Sequence, residues 1–304
     1  MPGEYDQLLE ATIEHLQQLK AHGTRFVTVD TAALKALTAP VAPAKAPAPR
    51  SLSAQAQTVA AAPAPVTPNT AAPVKERSVF APAAGIPPEP VIEPLAPEAK
   101  PAAMAELRAR ASICVKCPSL VAARTQVVFG VGDVNAELMF VGEAPGADED
   151  AQGEPFVGAA GQLLTKIIQT MGQSRETVYI GNILKCRPDM PPGASGNRKP
   201  TPAEMRTCIP YLHEQINIIR PRVMVALGAT AVEGLFGKPI PITKQRGNWM
   251  TYRDIPVMPT FHPAYLLRNQ AMSEKRKVWE DMLAVMERLG LEISEKQRGY
   301  FLRG

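Results

Sequence analysis

The sequence predicts an α/β protein with three layers, in which helices cover both faces of a central, mostly parallel four-stranded sheet. Three observations lead there. Apolar runs of strand length recur at 137–142, 177–182, 222–228 and 255–261, each too continuous for a sheet with one wet face. Helical patterns separate them, and that alternation is the signature of crossover connections in a parallel sheet. Prolines are also segregated. Fifteen of the 31 fall between Pro40 and Pro101, which removes that stretch from any compact core and leaves the folded domain downstream.

The elements follow in order. Residues 4–20 place Tyr5, Leu8, Leu9, Ile13, Leu16 and Leu19 at helical spacing, so segment 1–37 carries a short helix with one apolar face. That face needs a surface to pack on: the main domain, a second copy, or a dedicated protein partner for this helix and its linker. Residues 38–105, rich in Ala and Pro, read as a disordered, solvated tether, and 106–304 as the functional domain. There ELMFVG (137–142) runs into GEAPG (142–146), and GQLLTKIIQTM (161–171) follows as a helix. The second strand ends at Asn182. The next helix starts after Thr201, with Pro202 in its first turn and Glu204 placed for a capping box; Pro210 predicts a kink in it. RVMVALG (222–228) feeds the helix ATAVEGLF, IPVMPTF (255–261) ends at FHPAYLLR, and a helix over 273–289 closes the domain.

Composition excludes little but excludes it cleanly. No segment reads as a membrane span, and the N-terminus lacks the basic flank and apolar run of a signal peptide, so the expectation is a cytoplasmic protein with no membrane partner. The formal charge of +4 suits a polyanionic partner without requiring one. All four cysteines lie downstream of residue 110. In a reducing compartment such a set binds metal more often than it forms disulfides.

Chemistry concentrates at the predicted strand ends, where open parallel sheets bind ligands. Glu143 follows the first strand, Asn182 ends the second and His262 meets the last. A carboxylate, an amide and an imidazole suit the reading of a small polar ligand and the stabilisation of charge on it. Phe156 stands between Pro155 and Gly158 in a polar loop, where a platform for a flat ring is credible against the alternative of plain core. Cys114 and Cys117 form a C-x-x-C, whereas Cys186 and Cys208 come singly from separate elements. A zinc ribbon would normally present two close pairs; a four-thiolate iron–sulfur cluster tolerates the open spacing. Spacing alone leaves iron–sulfur, zinc and unligated buried thiols open.

GEAPGADED (142–150), PFVGAAGQLL (155–164), NILKCRP (182–188), HPAYLLR (262–268) and the four cysteines together resemble the family 4 (iron–sulfur) uracil-DNA glycosylases over about residues 111–290. The resemblance implies the uracil-DNA glycosylase fold and a [4Fe-4S] cluster on Cys114, Cys117, Cys186 and Cys208. It implies hydrolysis of the N-glycosidic bond of deoxyuridine in single- or double-stranded DNA, leaving an abasic site in base excision repair, with no lyase step. Carried over by motif, Phe156 stacks on uracil and Asn182 bonds its Watson–Crick edge. Glu149 crowds the C5 side, and the main chain at Ala144 contacts O2. His262 stabilises the departing anion, and Glu143 orients water or supports the cationic sugar. Leu266 is the wedge that fills the vacated stack, with Arg268 beside it, and the N–H groups at Gly158 and Gly161 are candidates for a phosphate. Two departures stand out. The best-known superfamily members carry an aspartate where this chain has Ala144, so the water-activating role does not transfer directly. The stretch between Cys186 and Cys208 also lacks the Lys-Arg-Arg-Ile-His insert whose histidine traps the abasic sugar in one branch, so turnover is expected. The competing class is a non-catalytic iron–sulfur module that binds DNA or senses damage.

Overall fold

The computed structural model describes residues 94–188, 190 and 196–302. The expected N-terminal helix, and the tether up to residue 93, lie outside them. The tether's expected end at 105 is corrected: helix α1 (Lys100–Ser112) begins five residues earlier. Pro101 sits in its first turn, where a missing N–H costs nothing, and Met104, Leu107 and Ala111 bury one face of it. A proline counted with the tether is in fact a helix-start residue.

After α2 (Pro118–Ala123) come β1 (Val131–Gly132), β2 (Leu138–Gly142), α3 (Ala147–Gln152), α4 (Ala159–Thr170) and β3 (Tyr179–Asn182). Next are α5 (Pro202–Ile219), β4 (Val223–Leu227), α6 (Ala229–Phe236), α7 (Ile242–Gln245), β5 (Met250–Tyr252) and β6 (Ile255–Thr260). The chain closes with α8 (Pro263–Arg268), α9 (Met272–Leu289) and α10 (Glu295–Arg298). The sheet runs β1-β3-β2-β4-β6-β5. Its four inner strands are the expected parallel set, and two short antiparallel strands flank them. These edges escape a sequence reading because β1 is two residues long and β5 joins β6 through Arg253-Asp254. Both of those turn residues have positive φ, the left-handed geometry that normally signals itself as Asn-Gly.

Alternation within each strand builds the layers. Met139, Val141, Met224, Ala226 and Val257 face α1, α5 and α6, while Leu138, Phe140, Val225 and Met258 face α4 and α9. The capping box of α5 forms as the spacing requires: Glu204 N–H donates to Thr201 Oγ1 at 3.2 Å and Thr201 N–H to Glu204 Oε2 at 2.7 Å. The helix continues through Pro210. From β2 the chain first crosses to β3 on one side and then to β4 on the other, so the crevice at the carboxyl end of β2 is the switch point at which such sheets take their ligands.

Candidate active site

The site is built on β2 and its neighbour. Gly142 pairs in register with Asn182, and a Cβ on Gly142 would meet Asn182 Oδ1 at 2.3 Å and the Phe156 ring at 2.5 Å. Only glycine leaves room for an amide and a ring to converge above that strand end. Asn182 is 2 % exposed, and its Oδ1 is buried with no hydrogen-bond partner among the described residues. An unpaired buried acceptor costs about 1–3 kcal/mol; here it and the Phe156 ring border the same space above Gly142.

Phe156 is held as deliberately. Its φ is +56°, a left-handed conformation costing a bulky residue about 1–2 kcal/mol. Arg175 clamps the loop by donating to the carbonyls of Pro155 at 2.7 Å and Phe156 at 3.0 Å, and Gly161 lets α4 approach the Phe156 backbone where a Cβ would lie 1.9 Å from it. The ring is buried, and its centroid lies 5.6 Å from that of His262. Asn182 from β3 and His262 from the end of β6 thus both lie beside the Phe156 ring.

His262 is the N-cap of α8, and its Nδ1 accepts from Ala264 N–H at 3.2 Å, which leaves Nε2 as the ring donor. Burial, and secondarily the charge of Arg268, push its pKa down to about 4, against a smaller opposing pull from Glu149. The imidazole is therefore neutral at physiological pH. Gly228 (φ +90°) backs it: a Cβ there would lie 3.0 Å from His262 Cβ.

The acidic loop divides its labour. Glu149 Oε1 accepts from the N–H groups of Val157 and Gly158, and Oε2 from that of Gly146, all at 3.0 Å. The Gly158 donor expected for a phosphate is consequently spent on Glu149, whose charge complements the N-terminus of α4. Asp150, far from being a solvated surface acid, is buried and accepts Thr125 N–H through both oxygens. Glu143 has a raised pKa because it is buried, partly offset by a hydrogen bond with Thr230 and by Lys199. Ala144 is half-buried and packs on the core.

All four cysteines are free. Cys114 and Cys117 come from the α1–α2 loop, Cys186 from beyond β3 and Cys208 from α5. They are near enough to act on one another. Burial raises Cys117, which Cys186 and Cys114 raise further, and burial likewise lifts Cys208 to about 11 with Cys186 and Cys117 adding to it. Arg124 donates to Cys186 Sγ at 3.0 Å, and Lys185 N–H to Cys208 Sγ at 3.2 Å. Among the described residues no three His, Cys, Asp or Glu side chains close into a compact single-ion chelate.

A family model described as "Uracil DNA glycosylase superfamily" matches residues 129–283. The type-4 uracil-DNA glycosylase of Thermotoga maritima is 48 % identical over 177 residues, 57 % of this chain and 88 % of that protein. The type-4 enzymes of Sulfurisphaera tokodaii and Archaeoglobus fulgidus are 41 % and 42 % identical over 200 and 170 residues, covering 63 % and 53 % of this chain and 86 % and 82 % of theirs. The chain belongs to the type-4 uracil-DNA glycosylases. It is a uracil-DNA glycosylase of DNA repair, a monofunctional hydrolase, and the non-catalytic reading falls away. Type-4 membership is consistent with an iron–sulfur cofactor. Among the described residues no helix is long and apolar enough to cross a membrane.

The two leucines of α8 differ in exposure. Leu266 is 5 % exposed and packs with Phe261 and Val278, whereas Leu267 is 39 % exposed beside the exposed Arg268. A helix that buries one leucine turns its neighbour outward, which a motif cannot tell. Sequence reasoning also passed over Arg175 and Thr230, which carry no motif, and Lys185, which stood inside NILKCRP with no role attached.

Proposed function

We propose that uracil, flipped from DNA, lies on Phe156 with its edge on Asn182 and its O2/N3 side toward His262. The unpartnered Asn182 Oδ1 carries this reading: uracil N3–H is a donor that would satisfy it, and cytosine presents an acceptor at the same position. As the glycosidic bond breaks, negative charge develops on the base, and the neutral His262 offers an N–H donor prepared for it. Glu143, close to Thr230 and Lys199, serves the cationic sugar or its attacking water. Glu149, fixed by three main-chain donors, gives the C5 side a rigid wall.

The four free thiols, which influence one another electrostatically, supply the four-thiolate donor set that a [4Fe-4S] cluster takes. When bound, the cluster would pin the loop after β3 and leave the hydrolysis to side chains. Extruding a nucleotide costs a few kcal/mol in lost stacking, and the exposed Leu267 is better placed than Leu266 to fill the gap, with Arg268 against the backbone. The test is an oligonucleotide with one uracil, incubated and then heated in alkali. Strand breaks with the wild type, falling far more than binding in Phe156→Ala and His262→Ala, support these roles; equal losses of binding and excision contradict them.

A further inference from the structure

Directly behind the base-reading residue lies a fully buried lysine that pairs with no carboxylate among the described residues. Lys185 Nζ donates to the main-chain oxygen of Asn182 at 3.0 Å and to Gln215 Oε1 at 2.6 Å. Gln215 is itself buried and fixed: its Nε2 donates to Phe129 O and to Tyr179 Oη, both at 2.9 Å. The ammonium also lies 5.9 Å from the centre of the Phe129 ring. At its other end the same residue touches the cysteines, since its main-chain N–H donates to Cys208 Sγ and Cys186 is the next residue. Its carbonyl is held too, by Val128 N–H at 2.8 Å. Every polar group of Lys185 is therefore used, and its side chain folds back across the turn from Asn182 to Cys186.

We propose that Lys185 is a positioning residue that holds the Asn182 backbone from behind the end of β3, and with it the side chain that reads the base. The inference rests on the reading of Asn182 as the uracil-binding amide. The chemistry favours a lysine here. The main-chain oxygen of Asn182, the last residue of β3, accepts from the ammonium, whose other donors leave one for Gln215 to anchor it from behind. A buried donor left without its acceptor, or the reverse, loosens whatever it held. In this place the loosened group is the residue that must face the base.

The experiment uses the full-length protein with its iron loaded and reads inhibition of excision by free uracil. Lys185→Met keeps the length and removes the donors. The expected result is an inhibition constant for uracil raised at least tenfold, with iron and sulfide content unchanged and affinity for a duplex carrying a tetrahydrofuran abasic site within twofold of wild type. Asn182→Ala should raise the same constant, and the double variant should be no weaker than Asn182→Ala alone, since coupled residues are not additive. Uracil inhibition unchanged in Lys185→Met while Asn182→Ala weakens it overturns the positioning role; no effect in Asn182→Ala overturns the reading beneath it. If Lys185→Met loses iron or fails to fold, Gln215→Met and Gln215→Glu decide. Weakened uracil inhibition in the first and near-normal inhibition in the second, whose carboxylate still accepts from Nζ, support the role; equal behaviour of the two contradicts it.

Discussion

At Asn182 a carbonyl oxygen is buried with no donor facing it among the described residues, and a free energy of about 1–3 kcal/mol is recovered when one arrives. Asn182→Ala is therefore expected to lower kcat/KM on uracil DNA by roughly 10- to 100-fold at constant fold stability, measured by single-turnover excision. His262 carries a second expectation. Its imidazole is held neutral down to about pH 4 by burial, so the excision rate should show no inflection near 6.5 from this residue. An NMR titration of the ring should place its midpoint near 4. His262→Ala should reduce kcat by about 10²–10³, the scale of one prepared donor, with DNA affinity retained. Glu143 carries a third expectation: burial raises its pKa, so its ionised form is lost at a higher pH than in a free carboxylate, and the acid limb of the rate profile should disappear in Glu143→Gln.

At the scale of elements, α8 buries one of its two leucines and exposes the other. Leu266→Ala removes a buried side chain from the Phe261–Val278 cluster and should cost about 2–5 kcal/mol of stability by chemical denaturation. Leu267→Ala should leave that stability within about 0.5 kcal/mol and weaken binding to uracil-containing duplex. The reverse pattern would restore Leu266 as the wedge. The sequence could show that a leucine-rich turn follows His262, because motif order is local information; which leucine is buried depends on where α9 supplies Val278, which is not. The same division runs through the sheet. The four parallel strands were legible because burial on both faces makes them continuously apolar, and Asn182 and His262 followed from the rule about strand ends. The edge strands, the Arg175 clamp and the early start of α1 were not, since each depends on a tertiary partner or on a proline whose helix-start role composition hides.

For the whole molecule, two half-buried histidines tie stability to pH. His262 and His213 are both pushed down to about 4, chiefly by burial, and both titrate near 6.5 once unfolded. Unfolding thus takes up protons between those values. Stability should be full above about 6.5, fall as pH drops through the window and level off with respect to these groups below about 4, at up to about 1.4 kcal/mol per pKa unit. Urea denaturation at pH 7 and pH 5 checks this, and His213→Gln should flatten part of the slope. The central claim is more specific: distant strand ends assemble one slot that accepts uracil and refuses its nearest relatives. Matched oligonucleotides with uracil, cytosine or thymine at the same position, assayed for alkali-labile breaks, test it most directly. Breaks at uracil alone are the predicted result, and breaks at cytosine or thymine at a comparable rate would contradict it.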